Sequence, residues 1–238
     1  LTVSIRPSIM RSSMNSAELQ RLQVMLGDNT TLLAVSKTFP STRLREVYSL
    51  GLCEFGENRI QDLKRKQQEL KDLDINWHFI GRLQSNKVSQ LVGQVKLIHS
   101  VDRMKIWEIL KKECTRKHVE QNCLIQVNIS QELEKGGVDI QKLDDFLEKI
   151  DEEGQQFCKI KGLMCIGSSI NLAGEAVVRS EFQCMQHLFN KFKNRGFKHI
   201  KMEVLSMGMS ADYKLALEYE STLVRLGSLI FGSRKQEN

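Results

Sequence analysis

From residue 31 onward the chain alternates between two hydrophobic patterns. Short runs rich in Val, Ile, Leu and aromatic residues are separated by longer stretches whose apolar residues recur at three- and four-residue steps. The first pattern is that of a strand buried on both faces, the second that of an amphipathic helix. The runs predict strands at Leu32–Lys37, Glu54–Asn58, Trp77–Gly81, Leu97–Asp102, Leu124–Ser130, Ile160–Gly167, Met202–Met207 and Leu223–Leu226. The stretches between them predict helices at Thr42–Leu50, Arg59–Lys71, Leu83–Val92, Arg103–Lys117, Asp139–Glu153, Glu175–Asn194 and Asp212–Glu220, with one more at Ser16–Leu26 before the first strand. Glycines close several of them: Gly51, Gly93 and Gly154 follow predicted helix ends, where a residue free to adopt positive φ is favoured. Ser210 or Ala211 is the N-cap candidate for the last helix.

Strands alternating with helices over about 200 residues match an α/β fold of the (β/α)8 TIM-barrel type. The competing doubly wound sheet normally places G-x-G-x-x-G after its first strand. Here that strand runs into Ser36-Lys37-Thr38-Phe39-Pro40, without glycine. No repeat or linker interrupts the pattern, so residues 16–238 are expected to form one barrel domain. Residues 1–15, which carry Arg6, Arg11 and several serines but no acid, are expected to be a disordered lead, a tag or a targeting remnant.

Composition narrows the function classes. No run approaches the roughly 18 apolar residues of a membrane span. The net charge is +6, from 35 basic and 29 acidic residues, yet bases and acids are interspersed. Lys64-Arg65-Lys66, followed by Glu69 and Asp72, reads as a solvated helix face. Aromatic residues are only 6% and no nucleic-acid-binding motif is present, so neither a membrane nor nucleic acid is expected as partner. The six cysteines, Cys53, Cys114, Cys123, Cys158, Cys165 and Cys184, contain no C-x-x-C pair. They are expected to be reduced, mostly buried thiols of an intracellular protein, without metal.

In a barrel the chemistry sits at the strand C-termini. Those positions carry Lys37, Asn58, His78 to Gly81, Asp102, Asn128, Gly167, Ser206 and Arg225. Lys37 follows an apolar run and precedes Phe39-Pro40. A lysine there either snorkels to solvent or, once desolvated, becomes a nucleophile toward an aldehyde. Loops after strands seven and eight of barrels often hold phosphate. Here they read Ser206-Met207-Gly208-Met209-Ser210 and Arg225-Leu226-Gly227-Ser228, rich in accessible backbone N–H and hydroxyl donors. A lysine nucleophile facing a phosphate cup suggests pyridoxal 5'-phosphate.

At these residues the chain resembles the pyridoxal-phosphate homeostasis protein family, also called alanine racemase N-terminal-like. The matching blocks are LLAVSKTFP at 32–40, FGENRIQD at 55–62, WHFIGRLQSNK at 77–87, QVNIS at 126–130, GLMCIG at 162–167, LSMGMSADY at 205–213 and VRLGSLIFG at 224–232. The resemblance implies a fold type III pyridoxal-phosphate barrel. It implies that Lys37 carries the cofactor as a Schiff base, that Arg225 faces the pyridine nitrogen, and that Ser210, Gly227 and Ser228 hold the phosphate. Asn58 and Ser206 would lie near the cofactor, and His78 would support the ring or act structurally. It further implies a role in vitamin B6 and amino/keto acid balance without strong catalysis, with delivery to pyridoxal-phosphate-dependent apo-enzymes. The expected state is a monomer, in the cytoplasm or the mitochondrial matrix. The alternative is a slow amino-acid racemase using Lys37 as base. Racemases of this fold take a second base, a tyrosine, from a separate C-terminal domain. No such domain is expected after strand eight, and Tyr48, Tyr213 and Tyr219 all fall in predicted barrel helices. Two departures from the family pattern are Arg59, where tyrosine is common, and Gly136-Gly137, where Ser or His precedes glycine.

Overall fold

A computed structural model of the chain describes residues 14–132, 134–154 and 156–232. Helix α1 (Ser16–Leu26) precedes β1 (Thr31–Val35), α2 (Ser41–Ser49), β2 (Glu54–Glu57), α3 (Ile60–Glu69), β3 (Asn76–Phe79) and β4 (Leu97–Val101). Then follow α4 (Met104–Lys117), β5 (Gln121–Val127), α5 (Leu143–Glu153), β6 (Cys158–Cys165), α6 (Ile170–Ala173) and α7 (Glu175–Lys193). The chain closes with β7 (Val204–Met209), α8 (Tyr213–Glu218), β8 (Leu223–Leu226) and α9 (Ser228–Phe231). The strands form a closed parallel barrel in sequence order. Closure is made by β1, which pairs β2 through Ala34 and Phe55 and β8 through Leu33 and Arg225. The expected (β/α)8 barrel is the fold observed.

Two separate cores result. Between strands and helices lies a large apolar layer. In it α7 buries Val178, Phe182, Met185, Phe189 and Phe192, the residues its periodicity singled out. Inside the barrel, Leu33, Leu97, Leu124, Met164 and Leu223 make a second, smaller cluster. Strands of a barrel contribute alternate residues to each side, which is why near-continuous apolar runs were needed.

Several elements differ from the pattern reading. The expected helix at 83–92 is a 3₁₀ segment, Ser85–Gln90. Val88 and Leu91 are still buried, because a spacing of three fits a 3₁₀ turn as well as an α-helix. Asp139 caps a 3₁₀ turn by accepting from Gln141 N at 2.8 Å, and α5 begins only at Leu143. The four-residue helices α6 and α9 are too short to show periodicity. Strand β7 starts two residues later than expected.

The lead assigned to residues 1–15 lies outside the described residues apart from its last two. Met14 N donates to Ile230 O at 3.1 Å. Asn15 caps α1 through a reciprocal pair with Glu18: each side chain accepts from the other's backbone N–H at 2.9 Å. All six cysteines are free. Cys123 and Cys158 approach to 3.8 Å in the core, and burial pushes the Cys165 thiol up to about 12. No cluster among the described residues could hold a metal, and no helix there is long and apolar enough to cross a membrane.

Candidate functional site

The site is built where β1, β7 and β8 end. Lys37 lies two residues beyond β1 in a tight turn, half-buried, with Thr38 at φ 72°. The turn is anchored from outside the barrel. Ser36 N donates to Gly56 O at 3.0 Å. Ser36 Oγ donates to Glu57 Oε1 at 2.6 Å, and Lys66 Nζ reaches both Ser36 O at 2.8 Å and Glu57 Oε1 at 2.6 Å. Glu57 is fully buried and Lys66 nearly so. Lys66 is therefore a correction to the solvated-face reading of Lys64-Arg65-Lys66. Its ammonium turns inward from α3 because the buried Glu57 carboxylate needs a counter-charge. Past the turn, Phe39 stacks on Phe231 at 4.7 Å.

Beside β1, the loops after β7 and β8 are joined by one hydroxyl. Ser210 Oγ accepts from Gly227 N at 3.3 Å and from Leu229 N at 3.4 Å. This is a further correction: Ser210 does not cap the helix that follows. Asp212 occupies that N-cap position, and its Oδ1 accepts from Met209 N at 2.5 Å. Two backbone amides thus converge on a single oxygen, an arrangement suited to an anion. Ser228 is exposed beside them.

Arg225 lies within β8 rather than at its end, with 5% exposure. Nη1 donates to Ser206 O at 2.9 Å and Ser206 Oγ at 2.7 Å, and Nη2 donates to Cys165 O at 2.7 Å. These partners are neutral oxygens. Burial lowers the guanidinium pKa from its ordinary value, which still leaves it a cation near neutrality. Asn58 follows β2, and Gly81 lies against its backbone: a Cβ at Gly81 would stand 2.1 Å from Asn58 O. At the end of β5 the Asn128 Oδ1 is buried with no hydrogen-bond partner.

A family model described as "Alanine racemase, N-terminal domain" matches residues 15–235. The chain belongs to that family. Within it, the chain is 40% identical over 210 residues to the pyridoxal phosphate homeostasis protein of Aquifex aeolicus, covering 88% of this chain and 90% of the relative. It is 36% identical over 232 residues to the protein of the same name from Schizosaccharomyces pombe, covering 97% and 95%. PipY of Synechococcus elongatus PCC7942, solved with PLP bound, superposes with a TM-score of 0.82 at 33% identity, over 91% of this chain and 99% of PipY. An alanine racemase from Clostridium difficile 630 superposes at 0.71 over 92% of this chain and 56% of its own, at 9% identity, which speaks for the fold alone.

The barrel of this alanine racemase N-terminal-domain member brings Ser206 and Arg225 into contact inside the strands, and Ser210 and Gly227 into contact at the mouth. His78 touches neither pair directly and reaches Ser206 only through His99. The sequence placed it among strand ends, but it lies inside β3, 2% exposed. It hydrogen-bonds Glu54 Oε2 at 2.6 Å through Nε2 and His99 Nε2 at 2.9 Å through Nδ1. His99 and Glu54 were missed altogether. Both occupy inward positions, His99 two residues after Leu97, and a polar residue in that register was the available signal. Of the family departures, Arg59 is exposed just before α3. Gly137 sits at φ 119°, where a Cβ would stand 2.5 Å from Asn128 N, so glycine is required there.

Proposed function

We propose that this chain binds pyridoxal 5'-phosphate at the barrel mouth and serves vitamin B6 balance as a carrier rather than a strong catalyst. The observation that carries the reading is the convergence of Gly227 N and Leu229 N on Ser210 Oγ, in a barrel whose interior holds a buried Arg225. Ser210, Gly227 and Ser228 bind the phosphate, with Asn58 and Ser206 beside the ring. The names of the curated relatives and the PLP-bound PipY structure support the ligand.

Pyridoxal 5'-phosphate supplies an aldehyde that condenses reversibly with a primary amine, releasing water. Lys37 provides that amine, on a turn fixed by the Ser36–Glu57–Lys66 cluster. Arg225 donates hydrogen bonds and accepts none. Facing the pyridine nitrogen of a bound cofactor, it would leave that atom unprotonated, which would restrain carbanion chemistry at the ring. Asn128 Oδ1, buried without a hydrogen-bond partner, offers an acceptor. The Tyr213 hydroxyl donates to Met25 Sδ at 3.8 Å. One barrel provides every group named, and a single chain suffices to load cofactor and release it to apo-enzymes.

The test is the visible spectrum of the purified protein with added pyridoxal 5'-phosphate, then borohydride reduction and mass mapping. A pyridoxyl adduct on Lys37 is expected. No adduct, or one spread over surface lysines, would overturn the reading. Ser210→Ala combined with Ser228→Ala is expected to weaken cofactor retention by about 1–3 kcal/mol, the loss of charge-assisted hydrogen bonds. Unchanged retention in equilibrium dialysis would place the phosphate elsewhere. Amino-acid turnover abolished by Lys37→Ala would favour the racemase alternative.

A further inference from the structure

Across the barrel interior run five polar side chains in contact: Arg225, Ser206, His99, His78 and Glu54. The distances are 2.7 Å from Arg225 Nη1 to Ser206 Oγ, 3.3 Å from Ser206 Oγ to His99 Nδ1 and 2.9 Å from His99 Nε2 to His78 Nδ1. The last link, His78 Nε2 to Glu54 Oε2, is 2.6 Å. Glu54 Oε1 also accepts from Asn76 Nδ2 at 2.9 Å and from Lys96 Nζ at 2.5 Å. This far end is the more exposed one: the Lys96 side chain is 50% exposed and that of Glu54 15%.

Elementary donor counting fixes the direction of every link. Guanidinium accepts nothing, so Arg225 donates to Ser206 Oγ. The Glu54 carboxylate only accepts, so His78 Nε2 donates to it. A neutral His78 then accepts at Nδ1 from His99 Nε2. A neutral His99 in turn accepts at Nδ1 from the Ser206 hydroxyl, whose oxygen accepts from Arg225. His99 is fully buried. Burial first, then the charges of His78 and Arg225, hold it well below its ordinary pKa. His78 is also lowered, by burial, against the pull of Glu54. Burial would raise the Glu54 carboxyl, but the His78 and Lys96 hydrogen bonds outweigh it and hold it ionised.

We infer that these residues form one directional hydrogen-bond chain from a buried cation to a carboxylate, and that His99, His78 and Glu54 are positioning residues that hold Arg225 aimed at its ligand. Links polarised in one sense strengthen one another in a low-dielectric interior. The hydrogen bonds of Arg225 itself go to neutral oxygens; the nearer carboxylate acting on it is Asp212, and the chain links it to a second carboxylate, Glu54, four links away. The orientation of Arg225 toward a ring nitrogen rests on the proposed function; the chain itself does not.

The test uses the full protein without added cofactor, labelled with ¹⁵N in histidine and arginine. Both His78 and His99 are expected as neutral rings with a pyridine-type Nδ1 and a pyrrole-type Nε2. The opposite tautomer, or an imidazolium, at either ring near neutral pH overturns the chain. Glu54→Gln keeps the shape of the far end and removes its charge. It is expected to shift the His99 nitrogens and the Arg225 Nε–H resonance, although Arg225 lies four links away. An unmoved Arg225 resonance in a folded Glu54→Gln protein overturns the positioning role. Should that variant not fold, the wild-type tautomers still decide the chain. Failure to bind pyridoxal 5'-phosphate would overturn the proposed function and leave these spectra unchanged.

Discussion

The barrel interior is filled in two ways. One part is apolar: Leu33, Leu97, Leu124, Met164 and Leu223 interdigitate around the inner wall. The other is the polar file from Arg225 to Glu54, which crosses the same space on β2, β3, β4, β7 and β8. Both are buried, and Leu33 even pairs with Arg225 in register. They differ in what specifies them. An apolar filling is set by volume and rotamer, and it tolerates exchange of one hydrocarbon for another of similar size. A polar file is set by donor count at every link, because one missing partner strands a group that water cannot reach. The first part closes the barrel; the second ties the candidate ligand-facing arginine to the opposite end of the fold.

The largest expected effect breaks the polar file in the middle. His99→Leu preserves bulk and removes both nitrogens. His78 Nδ1 loses its donor and the Ser206 hydroxyl loses its acceptor. Each stranded group is expected to cost about 1–3 kcal/mol in urea unfolding, and a loss below this would show that the file carries no such demand. Next comes the apolar part. Leu124→Ala is expected to cost about 2–5 kcal/mol through the cavity it leaves, whereas Leu124→Met should cost under about 1.5 kcal/mol. Similar losses for the two Leu124 variants would remove the contrast.

A smaller and graded effect is expected from pH. His78 and His99 have folded pKa values below the ordinary 6.5. The unfolded chain therefore binds protons at a pH where the folded chain does not. Stability is fully present above about 6.5 and falls as pH drops below it, by up to about 1.4 kcal/mol per pH unit for each ring. The Glu54 carboxyl, held low, would be lost only at still lower pH, in the carboxylate range. Lys96 and Arg225 stay cationic throughout, and the Asp212 carboxyl that faces Arg225 is raised by burial. The difference in unfolding midpoints between wild type and His99→Leu, measured from pH 7 to pH 5, reads the histidine contribution. A flat profile in wild type, or an unchanged slope in His99→Leu, would contradict the buried neutral assignment.

The barrel itself was legible because eight apolar runs separated by amphipathic stretches leave few alternatives. Lys37, Ser206, Ser210 and Arg225 stood out as polar residues at or near the ends of such runs. What eluded the pattern was partnership. Lys66 sits in a basic triplet on an amphipathic helix, and only packing shows it passing inward to Glu57. His99 lies in LIHSV, a run that reads as a plain buried strand. Ser210 looked like a helix cap, because a serine just before a helix normally is one.

Local chemistry along the chain thus determined which segments become strands and helices, which glycines end or turn them, and which residue types reach the mouth. Tertiary structure decided the rest. Barrel closure sets the relative height of residues on different strands, through registers and bulges that no single segment contains. Whether two buried polar groups satisfy each other depends on distances of a few ångströms between residues far apart in sequence, such as Ser206 and His99. That is a property of the closed barrel, not of any one strand.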